Sequence, residues 1–399
     1  MFESLEPQPP DALLGITTAF AADQSPHKID LGVGVYRDAS GGTPVMAAVR
    51  QAEQMMLSEQ TSKSYLGMAG NRAFANFIEQ MVLGAAATTT LAGRVTTLQT
   101  PGGCGALRLA SELVVRAAKE TPVSVSDPSW PNHVPLIGGT GLAISRYPYY
   151  SVATGRVDFT GMCSALDAMP AGTLVVLHAC CHNPTGADLS PEQWQSLVSV
   201  FARRSLVPLF DLAYQGLGMG IEEDAYAIRL FASKLPEMLI AISCSKSFGL
   251  YRERVGAVMA LSSSAREADI VMGHLQTIAR RLYSMSPDHG AAIVATIASS
   301  PALLQVWSEE LGAMRERIHA LRVALAGALS AEIGQPHFDF IQGQRGMFSL
   351  LGLSPAAVKR LASEHHIYVA PDSRMNVAGL SEAKIQQVAA AIGAVRGQS

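Results

Sequence analysis

The chain has 399 residues, of which 48% are hydrophobic and only 16% are Asp, Glu, Lys or Arg, so it has a large amount of apolar surface to bury. This length is enough for two or three domains, or for one large α/β domain with a smaller one attached. The formal net charge is −3, from 30 basic and 33 acidic residues, which gives no indication of a nucleic-acid-binding surface.

Cellular location is indicated by the N-terminus and the cysteines. No apolar run approaches the roughly 18 residues that a membrane helix needs, and the acidic start MFESLEPQPP lacks the regions of a secretory signal. The five cysteines are an odd number without metal-ligand spacing. We therefore expect a soluble, cytoplasmic protein with reduced thiols, no membrane partner and no metal site.

The first half of the chain alternates between predicted helices and strands. A glycine-rich segment at 101–105 precedes a helix predicted for 106–119, and a short strand is predicted for 123–126. A β-branched run at 174–179 predicts a buried strand. The capping box SPEQ then predicts a helix over 190–204, with Pro in the first helical position.

The same alternation continues in the second half. Strands are predicted for 207–212, 238–243 and 255–261, with a helical stretch near 225–232 and a long helix over 302–329. Strands that alternate with helices are typical of a mostly parallel sheet covered on both faces. The fold class is therefore α/β.

The C-terminal part has a different character. Its short strand-like and helical pieces, with helix starts at Ser354 and Ser381, predict a smaller α+β domain. We assign 314–399 to this domain, together with 11–43. Residues 44–313 form the large domain, and 1–10 form an N-terminal arm.

Polar residues follow the carboxyl ends of three predicted strands, which is the edge where open α/β sheets bind ligands. These strands would deliver a carboxylate, a phenol, an amide and an amine to one crevice. The residues are Asn183, Asp211, Tyr214, Ser243, Ser245 and Lys246.

The candidate residues, including Trp130 and His133, also have ordinary structural interpretations. Lys246 is either a surface lysine or an amine that forms a Schiff base with a carbonyl cofactor. Asp211 ends an apolar strand, where it needs a partner, and is either a helix-cap or turn residue or the counter-ion of a protonated ring nitrogen. Trp130 either packs or stacks on a flat ring, and His133 is a supporting hydrogen-bonding residue.

Three further features suggest sites for anions. The glycines of segment 101–105 precede a helix, which offers either an anion site or only a tight turn, and they lack the spacing of nucleotide-binding motifs. Arg280 and Arg374 are either solvated charges or carboxylate ligands, since a guanidinium matches a carboxylate bidentately.

Nine segments spread over the whole chain resemble, in order and spacing, the class I aspartate and aromatic-amino-acid aminotransferases, which depend on pyridoxal 5′-phosphate (PLP). This resemblance implies the type I PLP-dependent transferase fold, with a mostly parallel seven-stranded sheet. It also implies a homodimer with shared active sites. The segments are LGVGVYRD (31–38), SYLGMAGNR (64–72), QTPGGCGALR (99–108), VSDPSWPNH (125–133), HACCHNPTG (178–186), FDLAYQG (210–216), SCSKSFGLYRERVGA (243–257), RRLYSMSPDHG (280–290) and SRMNVAGL (373–380).

The resemblance implies roles around the cofactor ring. Lys246 would bind PLP covalently and later move a proton, and Asp211 would keep the pyridine nitrogen protonated. Tyr214 and Asn183 would hydrogen-bond the O3′ oxygen of PLP. Trp130 would stack on its ring.

The resemblance also implies phosphate and substrate ligands. The phosphate would be bound by Gly103, Cys104, Gly105, Ser243, Ser245 and Arg254, and by Tyr65 of the neighbouring subunit. The substrate's α-carboxylate would bind Arg374, near Gly34, Trp130 and Asn183, whereas Arg280 of the other subunit would bind a distal carboxylate.

The chain also departs from this family pattern. Cys104 stands where the family usually has Ser or Thr, so we expect a weaker hydrogen bond to the phosphate. Leu282 and Ser64 replace asparagines of the aspartate-specific pattern, which favours aromatic donors, whereas Val35 and Thr43 are similar to the aspartate branch.

We therefore predict an aminotransferase that moves the amino group of tyrosine or phenylalanine to 2-oxoglutarate, with some aspartate activity. Its small-molecule partners are amino acids and 2-oxo acids. The alternatives are an aspartate aminotransferase, a PLP-dependent lyase or decarboxylase, and a non-catalytic PLP-binding protein of the same fold.

Overall fold

A computed structural model describes residues 1–7 and 12–396 of the chain. Its α-helices are α1 (Ala12–Ala22), α2 (Ala47–Glu59), α3 (Arg72–Leu83), α4 (Ala85–Thr90), α5 (Gly102–Ala117), α6 (His133–Gly138), α7 (Phe159–Asp167), α8 (Pro191–Arg204), α9 (Tyr226–Lys234), α10 (Ala265–Leu282), α11 (His289–Ser299), α12 (Pro301–Ile333), α13 (Phe340–Gly343), α14 (Pro355–His365) and α15 (Ile385–Arg396). Short 3₁₀ helices cover Phe2–Ser4, Glu223–Ala225, Val377–Gly379 and Glu382–Lys384.

The strands form one large sheet and three small ribbons. They are β1 (Ile29–Asp30), β2 (Val95–Pro101), β3 (Val123–Asp127), β4 (Ile144–Pro148), β5 (Tyr150–Ser151), β6 (Arg156–Val157), β7 (Leu174–His178), β8 (Val207–Leu212), β9 (Met238–Ser243), β10 (Val255–Leu261), β11 (Phe348–Leu350), β12 (Ile367–Tyr368) and β13 (Arg374–Asn376).

The central sheet has seven strands in the order β2-β10-β9-β8-β7-β3-β4. Strand β10 is antiparallel to both of its neighbours, whereas the pairs β9-β8, β8-β7, β7-β3 and β3-β4 are parallel. Every residue of β9 and β10 is buried, as expected for strands that are covered on both faces. The predicted mostly parallel seven-stranded α/β sheet is confirmed.

Alternate residues of the central strands enter different cores, because successive side chains point to opposite faces of a sheet. Leu177 and Phe210 pack in the core on one face, and Val176 and Leu209 pack in the core on the other. Helices α8, α9 and α11 contribute to the first core, while α5 and α10 contribute to the second.

A third hydrophobic core forms away from the large sheet. It combines Ile29 and Leu31 with buried residues from 321 to 395, including α14 and α15. Two ribbons lie in this part of the chain: β1 pairs with β12 in parallel, and β11 pairs with β13 antiparallel. A second, smaller α+β unit is therefore present.

The 33-residue helix α12 connects the two units. Its first half, from Leu303 to Ile318, packs in a core of the large sheet, and its second half, from Leu321 to Leu329, packs in the core of the small unit. A continuous helix is rigid enough to fix one unit relative to the other. The proposed bounds of 44–313 for one domain, and of 11–43 with 314–399 for the other, stay a prediction.

Several predicted elements agree with the structure closely, and a few differ. The strands at 207–212, 238–243 and 255–261 have the predicted bounds, and Ser354 caps α14. Helix α5 begins at Gly102 rather than near 106, so the glycine-rich segment forms the first helical turn and not a loop. Ser381 precedes a 3₁₀ turn that leads into α15.

Two short stretches near the ends of the chain lie outside the described residues. Of the predicted arm 1–10, residues 1–7 are described, and residues 8–11 and 397–399 lie outside the described part.

No single helix in the described ranges is long and apolar enough to cross a membrane. The pair α11 and α12 meets that test only when joined across a bend of 107°.

The capping box at the start of α8 is present as predicted, and its contribution to stability can be tested. Ser190 Oγ accepts from the backbone of Gln193, and the Gln193 side chain accepts from the backbone of Ser190. We expect Ser190→Ala to lower the free energy of unfolding by about 1 kcal/mol, because one N–H at the helix start loses its acceptor.

The measurement is urea denaturation followed by circular dichroism. Ser196→Ala is the matched control, because the Ser196 hydroxyl is exposed and donates only to the carbonyl of Glu192 within the same helix. Equal midpoints for the two variants would show that the cap contributes nothing.

Candidate active site

A cavity of about 250 Å³ lies at the carboxyl edge of the central sheet. Its walls come from the ends of β7, β8 and β9, the start of α5 and the small unit. The sequence-predicted residues that line it are Gly34, Gly103, Cys104, Trp130, Asn183, Asp211, Tyr214, Ser243, Ser245, Lys246, Arg254 and Arg374.

Strand register explains why residues distant in sequence meet here. In the parallel ladder, His178 at the end of β7 is the partner of Asp211 on β8, and Asp211 is the partner of Ala241 on β9. Neighbouring parallel strands therefore end at one edge, and the residues that follow them face a common space.

The buried carboxylate of Asp211 has a specific partner. His133 Nε2 lies 2.9 Å from Asp211 Oδ2, and His133 Nδ1 lies 2.8 Å from Ser129 Oγ. Burial by itself would raise the pKa of Asp211, but the hydrogen bond and charge of His133, with His178 and Lys246, outweigh burial and lower it. The carboxylate is therefore held as an anion, and within the described residues it caps no helix.

Lys246 lies in the loop after β9, with its amine inside the cavity. Lys246 Nζ is 5.0 Å from the centroid of the Tyr214 ring, and it makes no hydrogen bond among residues 1–7 and 12–396. Burial lowers the pKa of Lys246, and Arg254 and Arg374 add to that effect against the opposing charge of Asp211. The amine can therefore lose its proton more easily than a surface lysine.

The loop that carries Lys246 is anchored on two sides. Ser247 Oγ donates to the carbonyl of Gln215, and Trp307 Nε1 donates to the carbonyl of Ser247. Phe248 stacks on the Trp307 indole with ring centroids 4.6 Å apart. Helix α12 thus fixes the position of the amine.

One end of the cavity is rich in hydrogen-bond donors. Gly103 and Cys104 lie in the first turn of α5, whose backbone N–H groups have no acceptor within the helix. Arg254 Nη1 donates to Ser245 Oγ at 3.3 Å. Gly102 has φ +69°, and a Cβ there would lie 2.6 Å from Arg254 Nη2, so glycine is required. These donors suit a phosphate group.

Arg374 on β13 also lines the cavity. Its Nη1 donates to Asn183 Oδ1 and its Nη2 to the carbonyl of Gly32, both at 3.1 Å, and its Cζ lies 4.3 Å from the centroid of the Phe348 ring. Its buried Nε has no partner among the described residues. A guanidinium with a free donor is suited to bind a carboxylate.

Three predicted residues lie outside this cavity. Gly105 is in α5, one residue past Cys104. Tyr65 is 93% exposed, and Arg280 is an exposed residue of α10 that donates to Ser284 Oγ. A single chain therefore does not bring Tyr65 or Arg280 to the site.

Several residues of the cavity were not predicted from the sequence, namely Leu107, His178, Ala213, Tyr251 and Phe348. His178 ends β7, so the rule that identified Asn183 and Asp211 could have found it. Its ring lies 5.1 Å from that of His133, and burial lowers its pKa well below the ordinary value. Nothing in the sequence pattern indicated Phe348.

The polar groups of the cavity can be matched to the phosphate, the ring nitrogen and the carbonyl of PLP. Donors that suit a phosphate, the Asp211 carboxylate, the Tyr214 phenol and the Lys246 amine all line this one cavity. The Arg374 guanidinium provides a further anion ligand in the same cavity. The residues present therefore fit PLP together with an amino-acid carboxylate.

Comparison with known proteins gives the family. Residues 26–392 match the family model described as aminotransferase class I and II. The chain belongs to this aminotransferase family. It is 46% identical to an aromatic-amino-acid aminotransferase of Pseudomonas aeruginosa over 97% of each chain, and 40% identical to an aspartate aminotransferase of Escherichia coli over 99% of this chain and 100% of that one.

A solved structure of similar shape supports the cofactor. The aromatic-amino-acid aminotransferase of Burkholderia pseudomallei, covalently bound to pyridoxal phosphate, has a TM-score of 0.96 and 44% identity over 99% of each chain. The predicted family, the PLP-dependent transferase fold, the aminotransferase activity and the cofactor PLP are confirmed.

The low pKa of Lys246 has a measurable consequence for the cofactor-free protein. The unfolded chain binds a proton at this lysine up to its ordinary pKa of 10.5, whereas the folded chain releases it earlier, so folded stability rises with pH between the two values. We expect Lys246→Met to be more stable than the wild type at neutral pH, with a gain that shrinks as pH approaches 10.5.

Thermal unfolding of both cofactor-free proteins at neutral and alkaline pH measures this difference. The control is Lys359→Met, since Lys359 is an exposed residue of α14. A gain from Lys246→Met that does not change with pH would contradict the prediction.

Proposed function

We propose that this aminotransferase transfers the amino group of tyrosine or phenylalanine to 2-oxoglutarate through PLP and also accepts aspartate. The observation that carries the proposal is the presence of Lys246, Asp211 and Arg374 in a single cavity. The similarity to aromatic-amino-acid aminotransferases at 46% identity supports the aromatic donor, and the aspartate aminotransferase relatives at 40% support aspartate.

The proton transfer is assigned to Lys246. When bound, PLP supplies a carbonyl carbon for the donor's amine and a ring that accepts electrons from the Cα–H bond. Lys246 Nζ has a lowered pKa and lies in the cavity, so it can take the Cα proton and return it. Asp211, held as an anion by His133, keeps the ring nitrogen protonated.

The other residues orient the two ligands. Ser243, Ser245, Arg254 and the first turn of α5 bind the phosphate, with the Cys104 thiol as a weaker partner, while Tyr214 and Asn183 bind the O3′ oxygen of PLP. Trp130 covers the ring. Arg374 binds the donor's α-carboxylate, and the glycine at position 34 lets the backbone pack against Phe348, since a Cβ there would lie 2.7 Å from the Phe348 ring.

A homodimer is part of this proposal. Tyr65 and Arg280 are exposed in the single chain, and in the dimer they complete the neighbouring subunit's site. There Tyr65 binds the phosphate and Arg280 binds the distal carboxylate of 2-oxoglutarate or aspartate. For an aromatic donor, Arg280 turns aside or is screened.

The cytoplasm is the proposed location. The five cysteines carry no disulfide, and three of them, Cys180, Cys181 and Cys244, are buried thiols. Burial raises the pKa of Cys244 to about 12, which keeps it in the thiol form.

The first test is donor preference, measured as kcat/KM with 2-oxoglutarate as the acceptor. We expect tyrosine and phenylalanine to exceed aspartate. Activity on aspartate alone would refute the aromatic assignment and favour an aspartate aminotransferase. Turnover without a 2-oxo acid would indicate a lyase or decarboxylase, and a cofactor spectrum that no amino acid changes would indicate a non-catalytic protein.

Arg280→Gln separates the two classes of donor. We expect it to reduce the single-turnover reaction with aspartate by about 10- to 100-fold, because one charge-assisted hydrogen bond is lost, and to change the reaction with phenylalanine far less. The absorbance of the bound cofactor follows each reaction. Arg281→Gln, an exposed neighbour on α10, is the control, and equal losses for both donors would refute the assignment.

Shared active sites can be tested by complementation. We expect Lys246→Ala and Arg280→Gln to be defective separately with aspartate, and a co-expressed mixture to regain activity, because a mixed dimer contains one site with neither substitution. Mixing two preparations of the same variant is the control. A mixed dimer, verified by differential affinity tags, that gains no activity would show that each site is built from one chain.

A further inference from the structure

A second cavity, of about 220 Å³, shares no wall residue with the catalytic one. It is bounded by three segments: the loop at 217–219, helix α12 between Arg315 and Arg322, and the loop at 344–346. The first loop belongs to the large unit, and the other two segments lead into the small unit. The cavity therefore lies where the two units meet.

Positive charge dominates the walls of this cavity. Arg315, Arg322 and Arg345 line it together with His319, whereas Glu316 is its one acidic wall residue, an exposed one. None of the three arginines lies within salt-bridge distance of a carboxylate in the described part of the chain. The three guanidinium groups outnumber the nearby carboxylates, which are Glu316 and the buried Asp224 that accepts from the N–H groups of Gly218 and Met219, and an excess of positive charge favours anions.

Two of these arginines, Arg315 and Arg345, have N–H groups that make few or weak hydrogen bonds within the protein. Arg315 makes one hydrogen bond, to the carbonyl of Gly216 at 3.1 Å. Arg345 Nη1 reaches the carbonyls of Gln342 and Gln344 only at 3.5 and 3.3 Å, and its Nε faces the thioether of Met219, which is a weak acceptor. Both side chains are half-buried and can present further N–H groups to a ligand.

Arg322 has a structural role. It is 1% exposed and donates to Ser349 Oγ and to the carbonyls of Gly346 and Phe348 at 2.6 to 2.7 Å, so it holds the 346–349 segment in place. Its Nε nevertheless lacks a partner among the residues described. Burial lowers the pKa of Arg322 to about 10, Cys181 and Asp188 oppose that effect, and the like charge of Arg345 adds a smaller repulsion.

We propose that this cavity is a second anion site that binds a phosphate group, either inorganic phosphate or the phosphate of a small metabolite, with Arg315 and Arg345 as direct ligands. A tetrahedral oxyanion matches donors that converge from two different elements. The bound anion would tie the loop after Tyr214 to the segment before Phe348. The proposal does not depend on the aminotransferase substrate.

The test is calorimetric titration of the PLP-loaded enzyme at low ionic strength, where surface charges are least screened. Inorganic phosphate and methyl phosphate are titrated in parallel, with chloride at equal ionic strength as the reference. We expect saturable phosphate binding, weakened about 10-fold or more in both Arg315→Gln and Arg345→Gln, since each removes a charged donor. Tighter binding of methyl phosphate would assign the site to a metabolite's phosphate group, and tighter binding of inorganic phosphate to the free ion.

Arg203→Gln is the control, because Arg203 is exposed, pairs with Asp167 and lines neither cavity. An unchanged cofactor spectrum shows that each variant folds. If Arg315→Gln fails to fold, Arg345→Gln decides alone, since its hydrogen bonds are long. The proposal is wrong if phosphate binds no better than chloride, or if it binds Arg345→Gln as tightly as the wild type.

Discussion

The parallel hydrogen bonding of β7, β8 and β9 is the constraint on which the active site depends. Because the three strands run in the same direction and in register, His178, Asp211 and Ser243 reach one edge of the sheet. The apolar residues before them are held by cores on both faces, so the strand ends have little freedom to move. The catalytic geometry is therefore set by the packing of residues that take no part in the chemistry.

Buried charge at that edge is balanced locally. Asp211 is stabilised by His133 and by nearby Lys246, while the amine itself is disfavoured as a cation by burial, Arg254 and Arg374. The pKa values of both groups are therefore lowered, with opposite effects on their charge. The carboxylate is kept charged, and the amine is made easier to neutralise. The small net charge of the chain gives no hint of this local field.

The small unit contributes Arg374 and Phe348 to the cavity. Arg374 lies on β13, and Phe348, under its guanidinium, lies on the paired strand β11. Helix α12 contributes residues to the hydrophobic core of the small unit, and its Trp307 holds the Lys246 loop in place through a hydrogen bond. Helix α12 therefore sets the distance between Arg374 and the Lys246 amine.

The sequence by itself determined β3, β7, β8, β9 and β10 of the seven-stranded sheet, though not β2 and β4, and also the capped helix α8 and the residues at the strand ends, because these depend on local periodicity and on order along the chain. Family resemblance added Arg374 and the cofactor. Only the tertiary structure decided that His133 is the partner of Asp211, that Phe348 lies under Arg374 and that three unpaired arginines surround a second cavity. Each of these contacts joins residues far apart in the chain, and periodicity carries no information about which distant side chains meet.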